Sequence, residues 1–271
     1  MTELYANLFL LDILMKRGIS NWGSEEWYGS FEGKNLRGMA VAFGRGAKKK
    51  PSRLVVPCGL PASCIPLGTI IEERGGTELI IGERTASDAL YSNMASSRVH
   101  IHYDQRLYVC TKNDLNHPTM PIRFAKNKDF DRILQYSAQM MEEDLKINPL
   151  LLYPDRFRKS VQSKIDRFKS IVAEKDDDIC YTIDIGTQFG LGCQLGGTFV
   201  PTQFRGQGIS KKATAAVCEL LLQSCDCVTL HVHEKNIPAI RCYESIGFHA
   251  DAAFRLIAFR GKHHVQQKTQ P

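Results

Sequence analysis

Apolar residues recur at helical spacing twice in the second half of the chain. Phe130, Ile133, Leu134, Met140 and Met141 form one set, and Phe157, Val161, Ile165, Phe168 and Val172 the other. Steps of three and four put such residues on one helical face, so each set predicts an amphipathic helix. After the acidic turn Lys175-Asp176-Asp177-Asp178 the period changes. Ile179-Cys180-Tyr181-Thr182-Ile183-Asp184-Ile185 alternates and predicts a half-buried strand. A second strand is expected to end at Gly197-Thr198-Phe199-Val200, where Pro201 withholds the N–H a ladder needs. Ala213, Ala216, Val217, Leu220 and Leu221 then mark one face of a helix. The strand Val228–Val232, a short helix and a last strand at Phe254–Phe259 complete the pattern, and the polar tail from Gly261 is expected to fray.

The first half is more broken. A helix is expected at about residues 3–17, followed by short apolar runs at Met39–Phe43, Arg53–Pro57, Leu79–Ile81 and Arg106–Cys110, punctuated by Gly and Pro. The segment Asn113-Asp114-Leu115-Asn116-His117-Pro118-Thr119-Met120-Pro121 has two prolines among turn-formers and is the expected boundary. It divides the chain into residues 1–118, a small α/β unit with no evident catalytic constellation, and residues 119–271.

Composition narrows the class. The chain has 271 residues, 43% hydrophobic and 24% charged, and a formal net charge of +6. That charge is too mild to announce a nucleic-acid partner, although it suits an anionic ligand. The one basic run, Ala47-Lys48-Lys49-Lys50-Pro51-Ser52-Arg53, reads as a solvated loop. Leu8-Phe9-Leu10-Leu11 runs into Asp12, Lys16 and Arg17, so the start reads as an amphipathic helix and not a leader. No apolar stretch approaches the ~20 residues a membrane span needs. Nine cysteines without a C-x-x-C pair predict free thiols in a reducing, cytoplasmic setting. Cys225, Cys227, His231 and His233 suggest a metal site. On one strand they would spread over roughly 25 Å, whereas zinc needs ligands converging at about 2.0–2.3 Å. No metal is expected.

The stretch Gln203-Phe204-Arg205-Gly206-Gln207-Gly208-Ile209-Ser210 lies between an expected strand and an expected helix. The first N–H groups of a helix have no partner within it, and the helix dipole adds positive charge there. Glycines let a phosphate approach the backbone, and an arginine adds a cationic fork. The stretch therefore reads as a pyrophosphate cradle or, taken alone, as an ordinary strand-to-helix turn. It is not a P-loop, because no Gly-Lys-Ser/Thr follows, and it lacks the third glycine of a dinucleotide fingerprint. Further on, Asn236 can cap a helix, Pro238 sits in its first turn and Gly247 can end it. Ala239 and Tyr243 share a face of that helix.

Taken together, these parts resemble the GNAT superfamily of N-acetyltransferases. Arg205-Gly206-Gln207-Gly208-Ile209-Ser210 is similar to its R/Q-x-x-G-x-G/A loop, with Ser in place of the last Gly or Ala. Asn236, Ala239, Tyr243, Gly247 and Phe248 are in register with its N-x-x-A-x-x-x-Y-x-x-x-G-F segment. The match covers about residues 123–260. A looser likeness to tandem GNAT proteins rests on Asn7–Leu11, Glu142-Glu143, Asn148-Pro149 and Gly196-Gly197. It implies that residues 1–118 are a degenerate GNAT-like half that no longer binds the coenzyme.

The resemblance implies an α/β (α+β) fold of two GNAT-like units, each a mixed, mostly antiparallel sheet flanked by helices. It implies acetyl-CoA as co-substrate, held by Arg205–Ser210, by the backbone of Thr198, Phe199 and Val200, and by Asn236 and Tyr243. Tyr243 is the implied general acid toward the leaving thiolate. Glu142, Glu143, Asp184, His231 and His233 are open as candidate bases, with Glu143, Asp184 and His233 foremost, and a water relay would make a base unnecessary. The expected activity is direct transfer of acetyl to a primary amine on a small molecule or protein, with no nucleic-acid or membrane partner. The acceptor and the oligomeric state are open. A catalytically silent CoA-binding regulator is the alternative, and an aminoacyl-tRNA-dependent transferase, which would not need the loop, is a third.

Overall fold

The computed structural model describes residues 5–19, 25–44, 50–94 and 99–259. The Lys48-Lys49 part of the basic run, the first residues of the expected N-terminal helix and the tail from Gly261 lie outside them. In chain order the elements are α1 (Leu8–Arg17), β1 (Glu25–Glu32), β2 (Asn35–Phe43), β3 (Leu54–Gly59), α2 (Pro61–Glu73), β4 (Leu79–Glu83), α3 (Arg84–Ser92) and β5 (Val99–Thr111). Then come β6 (Arg123–Phe124), α4 (Phe130–Leu145), α5 (Pro149–Leu152), α6 (Pro154–Asp166), β7 (Ser170–Lys175), β8 (Asp178–Phe189) and β9 (Gly192–Phe199). The last are α7 (Ile209–Leu221), β10 (Cys227–His233), α8 (Ile237–Glu244) and β11 (His249–Phe259). None of the helices among the described residues is long and apolar enough to cross a membrane.

The chain forms two compact units, and neither is continuous in sequence. Described residues 5–12 join 108–251 in one, and residues 13–107 join 252–259 in the other. The division therefore does not fall at 118/119. The proline-bearing segment 113–121 lies inside the first unit, where the Asn116 N–H donates to the Ile246 carbonyl at 3.2 Å. A Cβ on Gly247 would stand 2.0 Å from the Asp114 carbonyl oxygen, and only a glycine permits that approach.

In the unit of residues 13–107 and 252–259, β1–β2, β2–β3 and β4–β11 pair antiparallel, and β3–β4 parallel. Leu67 and Ile71 of α2 and Leu90 of α3 close over Ala40, Val55, Ile80 and Ile257. All four apolar runs expected in this half are strands.

In the unit that holds residues 108–251, β6–β7, β7–β8 and β8–β9 are antiparallel and β9–β10 parallel. The sheet is mixed and mostly antiparallel with helices packed on it, as expected. β8 departs from the alternation read in its sequence, since Ile179 through Ile183 are all buried. Tyr181 and Ile183 pack in a cluster with Ala213 and Val217 of α7, whereas Ile179 packs in a second cluster with Ile133 and Leu134 of α4 and Val161 of α6. Tyr181 has no exposure, and its hydroxyl lies 2.8 Å from that of Thr214. Without that partner a buried hydroxyl would cost about 1–3 kcal/mol.

Phe157, Val161 and Ile165 form the buried face of α6, but Phe168 and Val172 do not extend it. Phe168 adopts a left-handed φ of 54° just past the helix end and is exposed. That residue turns the chain, and Val172 falls in β7.

Candidate functional site

Two irregularities of β9 create the site. The first is on its β8 side. Thr182 pairs with Phe199 and Asp184 with Gly196, so β9 holds one more residue than β8 between these pairs. The extra residue makes a bulge, with Gly197 at φ 63°, a conformation that suits glycine. The second is on its β10 side. Parallel pairing covers Val228–Leu230 against Cys193–Leu195 and goes no further. Beyond it Gly196–Phe199 and His231–His233 continue as strands without pairing to each other. A strand edge with unused N–H and C=O groups is a template for an extended, amide-bearing chain.

Tyr243 of α8 is buried in the cluster that also holds Tyr181 and Val232. Burial pushes its hydroxyl up to about 12, against an opposing pull from Thr198. Phe248 holds the ring edge-on at 5.8 Å. Tyr243 therefore keeps its proton throughout the neutral range. Asn236 has a local role: its side chain caps α8 by accepting from the Ala239 N–H at 3.2 Å.

The glycine stretch lies where β9 leads into α7. A single 3-10 turn, Thr202–Phe204, precedes it. Gly206 has φ 77° and Gly208 φ 72° with ψ 8°, so both are left-handed. Gly208 is the N-cap of α7, and no side chain caps this end. A Cβ at either glycine would meet nothing within 4 Å. These glycines serve backbone conformation, and the space before them is open. That is the arrangement of an anion cradle on a helix N-terminus. Ile209 is buried and anchors the helix, and Ser210 Oγ lies 3.5 Å from Cys242 Sγ of α8. The Gln207 amide is turned aside, donating to the Gln203 carbonyl at 3.0 Å and accepting from Lys175 Nζ at 2.6 Å. Arg205 is engaged within the protein. Its Nε donates to the Val200 carbonyl at 2.8 Å, its Nη2 donates to both Glu143 oxygens at 2.9 Å, and its guanidinium lies 5.4 Å over the Phe199 ring.

The candidate bases separate on geometry. Asp184 accepts from Lys164 Nζ and Ser170 Oγ, each at 2.6 Å, which fixes β8 to α6 and β7. Glu143 is bound to Arg205, and Glu142 Oε2 lies 3.4 Å from the Asn148 amide. His233 Nδ1 accepts from the Lys235 N–H at 3.0 Å. His231 is pushed down to about 4 by burial, and its Nδ1 lies 3.3 Å from Gln194 Nε2.

The residue that sequence reasoning missed is Asp144. Packed protein raises its carboxyl, as does the charge of Glu143, while Lys146, His233 and Arg205 pull it down. Its charge in turn reaches Tyr243. The available signal was helical phase. Tyr136 of α4 meets Phe199 at 5.5 Å, and residues seven and eight further along return toward that side.

Residues 138–248 match the model of the acetyltransferase (GNAT) family. Solved structures resemble nearly the whole chain in fold. A GNAT-family acetyltransferase from Colwellia psychrerythraea is 13% identical, with 95% of this chain and 97% of that chain covered and a TM-score of 0.55. A GCN5-related N-acetyltransferase from Kribbella flavida is 12% identical, with 97% of each chain covered and a TM-score of 0.59. A tandem GNAT protein from the clavulanic acid biosynthesis pathway is 11% identical, with 94% of this chain and 88% of that chain covered and a TM-score of 0.56. At these identities the likeness is one of fold. Comparison with curated proteins gives no sequence match.

Proposed function

We propose that this chain, whose residues 138–248 match the GNAT acetyltransferase family model, transfers an acetyl group directly from acetyl-CoA to a primary amine. One observation carries the reading. Beyond Leu195 and Leu230, β9 and β10 no longer pair with each other, α7 starts at Gly208 with no side-chain cap, and burial keeps the Tyr243 hydroxyl protonated. The open space before Gly206 and Gly208 fits a pyrophosphate.

In this reading the N–H groups of Gly206–Ser210, with Arg205, hold the pyrophosphate, and the backbone of Thr198–Val200, apart from the Val200 carbonyl that Arg205 engages, pairs with the amide-bearing arm. An N–H at the Gly197 bulge polarises the thioester carbonyl. The amine nitrogen bonds to the carbonyl carbon and the C–S bond breaks. The sulfur takes its proton from Tyr243, and the amine releases one to Asp144 or to water. The acceptor is an amine on a small molecule or a protein. The buried cysteines are free thiols, which supports action in the reducing cytoplasm.

The test is calorimetric titration with acetyl-CoA, followed by thiol release across a panel of primary amines. Micromolar binding and amine-dependent release support the reading, and a wild-type protein that does not bind acetyl-CoA overturns it. One observation favours a second reading, a silent CoA-binding regulator. Among the candidate bases, Asp184 is engaged by Lys164 and Ser170, and Glu143 by Arg205. Binding without release for any amine would select that reading.

A further inference from the structure

We propose that Glu143 is a built-in competitor for the anion that the Arg205 loop holds, and so sets the affinity of the site; this rests on the acetyl-CoA reading above. Glu143 lies in the last turn of α4, and both its oxygens take the same Arg205 nitrogen at 2.9 Å. A guanidinium offers one planar fork, which carboxylates and phosphates engage in the same way. An anion arriving at the N-terminus of α7 therefore meets an arginine already neutralised, and its binding includes an exchange of partners.

The pair is built to exchange. The side chains of Arg205 and Glu143 are 44% and 50% exposed, so water can replace either partner. Arg205 does not depend on Glu143 for its position. The Val200 carbonyl and the Phe199 ring hold the guanidinium at the loop when the carboxylate leaves. Removing Glu143 should then free the arginine without unmooring it. A merely structural contact predicts the opposite sign, because its loss would loosen the loop and weaken binding.

The experiment is calorimetric titration of the full chain with acetyl-CoA, comparing wild type, Glu143→Gln, Glu142→Gln, Arg205→Ala and the Glu143→Gln/Arg205→Ala double variant. Glu142 is a neighbouring carboxylate near Asn148 instead of Arg205, and so controls for net charge. Glu143→Gln is expected to bind about two- to fivefold tighter, the scale of an exposed ion pair that no longer needs exchanging. Glu142→Gln should stay within about twofold of wild type, and the gain should vanish in the Arg205→Ala background. The proposal is overturned by Glu143→Gln binding equally or more weakly, by an equal gain from Glu142→Gln, or by a gain that survives without Arg205. Absence of binding in every variant would instead remove the acetyl-CoA reading itself.

Discussion

The Tyr243 ring is buried and packs edge-on against Phe248, with ring centroids 5.8 Å apart. If Tyr243 donates to the leaving sulfur, Tyr243→Phe should lower kcat about 100-fold with little change in acetyl-CoA affinity. With its hydroxyl pushed up to about 12, Tyr243 stays protonated below that pH. Any alkaline fall in kcat below pH 10 then belongs to another group and should persist in the phenylalanine variant at its lower rate. Steady-state kinetics across pH, beside calorimetric affinity, reads both. An unchanged kcat would remove the acid role.

Gly208 separates conformation from space. At φ 72° a side chain brings strain of about 1–2 kcal/mol, although a Cβ there clashes with nothing in the protein. Gly208→Ala should therefore lose roughly that stability in urea unfolding, and Gly208→Asn less, since Asn tolerates the left-handed region. Gly208→Val should in addition weaken acetyl-CoA at least tenfold by filling the space before the N–H groups. If Gly208→Val is destabilised but binds normally, the loop is only a turn.

Much of this could be read along the chain, and the rest could not, for identifiable reasons. The helix at 130–145 and the strand end at Phe199 follow from period and from Pro201, both local signals. The loop glycines are legible because their task is backbone conformation. Helix α2 was hidden by Pro66 and Gly68, which look like breakers. Gly68 is needed because the Leu90 carbonyl of α3 would stand 2.0 Å from any Cβ there, a contact known only once the chain is folded. The bulge at Gly197 and the early end of the β9–β10 pairing are likewise long-range. So is the choice among Glu142, Glu143 and Asp144, since three adjacent carboxylates carry no label saying which one pairs with Arg205.

Asp184 tests the assignment of roles by elimination. It lies between Lys164 and Ser170 at 2.6 Å to each, and its side chain is 17% exposed. Asp184→Asn keeps the shape and removes the charge. It should cost about 1–3 kcal/mol in urea unfolding, with kcat within threefold of wild type. Ser170→Ala should cost less, because only one hydrogen bond is lost. If Asp184→Asn stays as stable as wild type but loses kcat 100-fold, the carboxylate is a proton acceptor after all, and the Lys164 pair is its means of orientation.

His231 gives the fold a defined acid sensitivity. Burial lowers its imidazole to about 4, whereas in the unfolded chain the value is about 6.5. On acidification the unfolded state takes up the proton first, so this contribution to stability is complete above pH 6.5. It is lost as pH falls toward 4 and changes no further below that. Between pH 7.5 and 5 the loss from this one group is about 2 kcal/mol. Urea unfolding at the two pH values, for wild type and His231→Gln, isolates it. The variant starts less stable at pH 7.5, because a neutral imidazole fitted into the sheet is gone, but its drop on acidification should be about 2 kcal/mol smaller. An equal drop in both proteins would mean that the ring takes up its proton in the native state, by a local opening of β10 toward water.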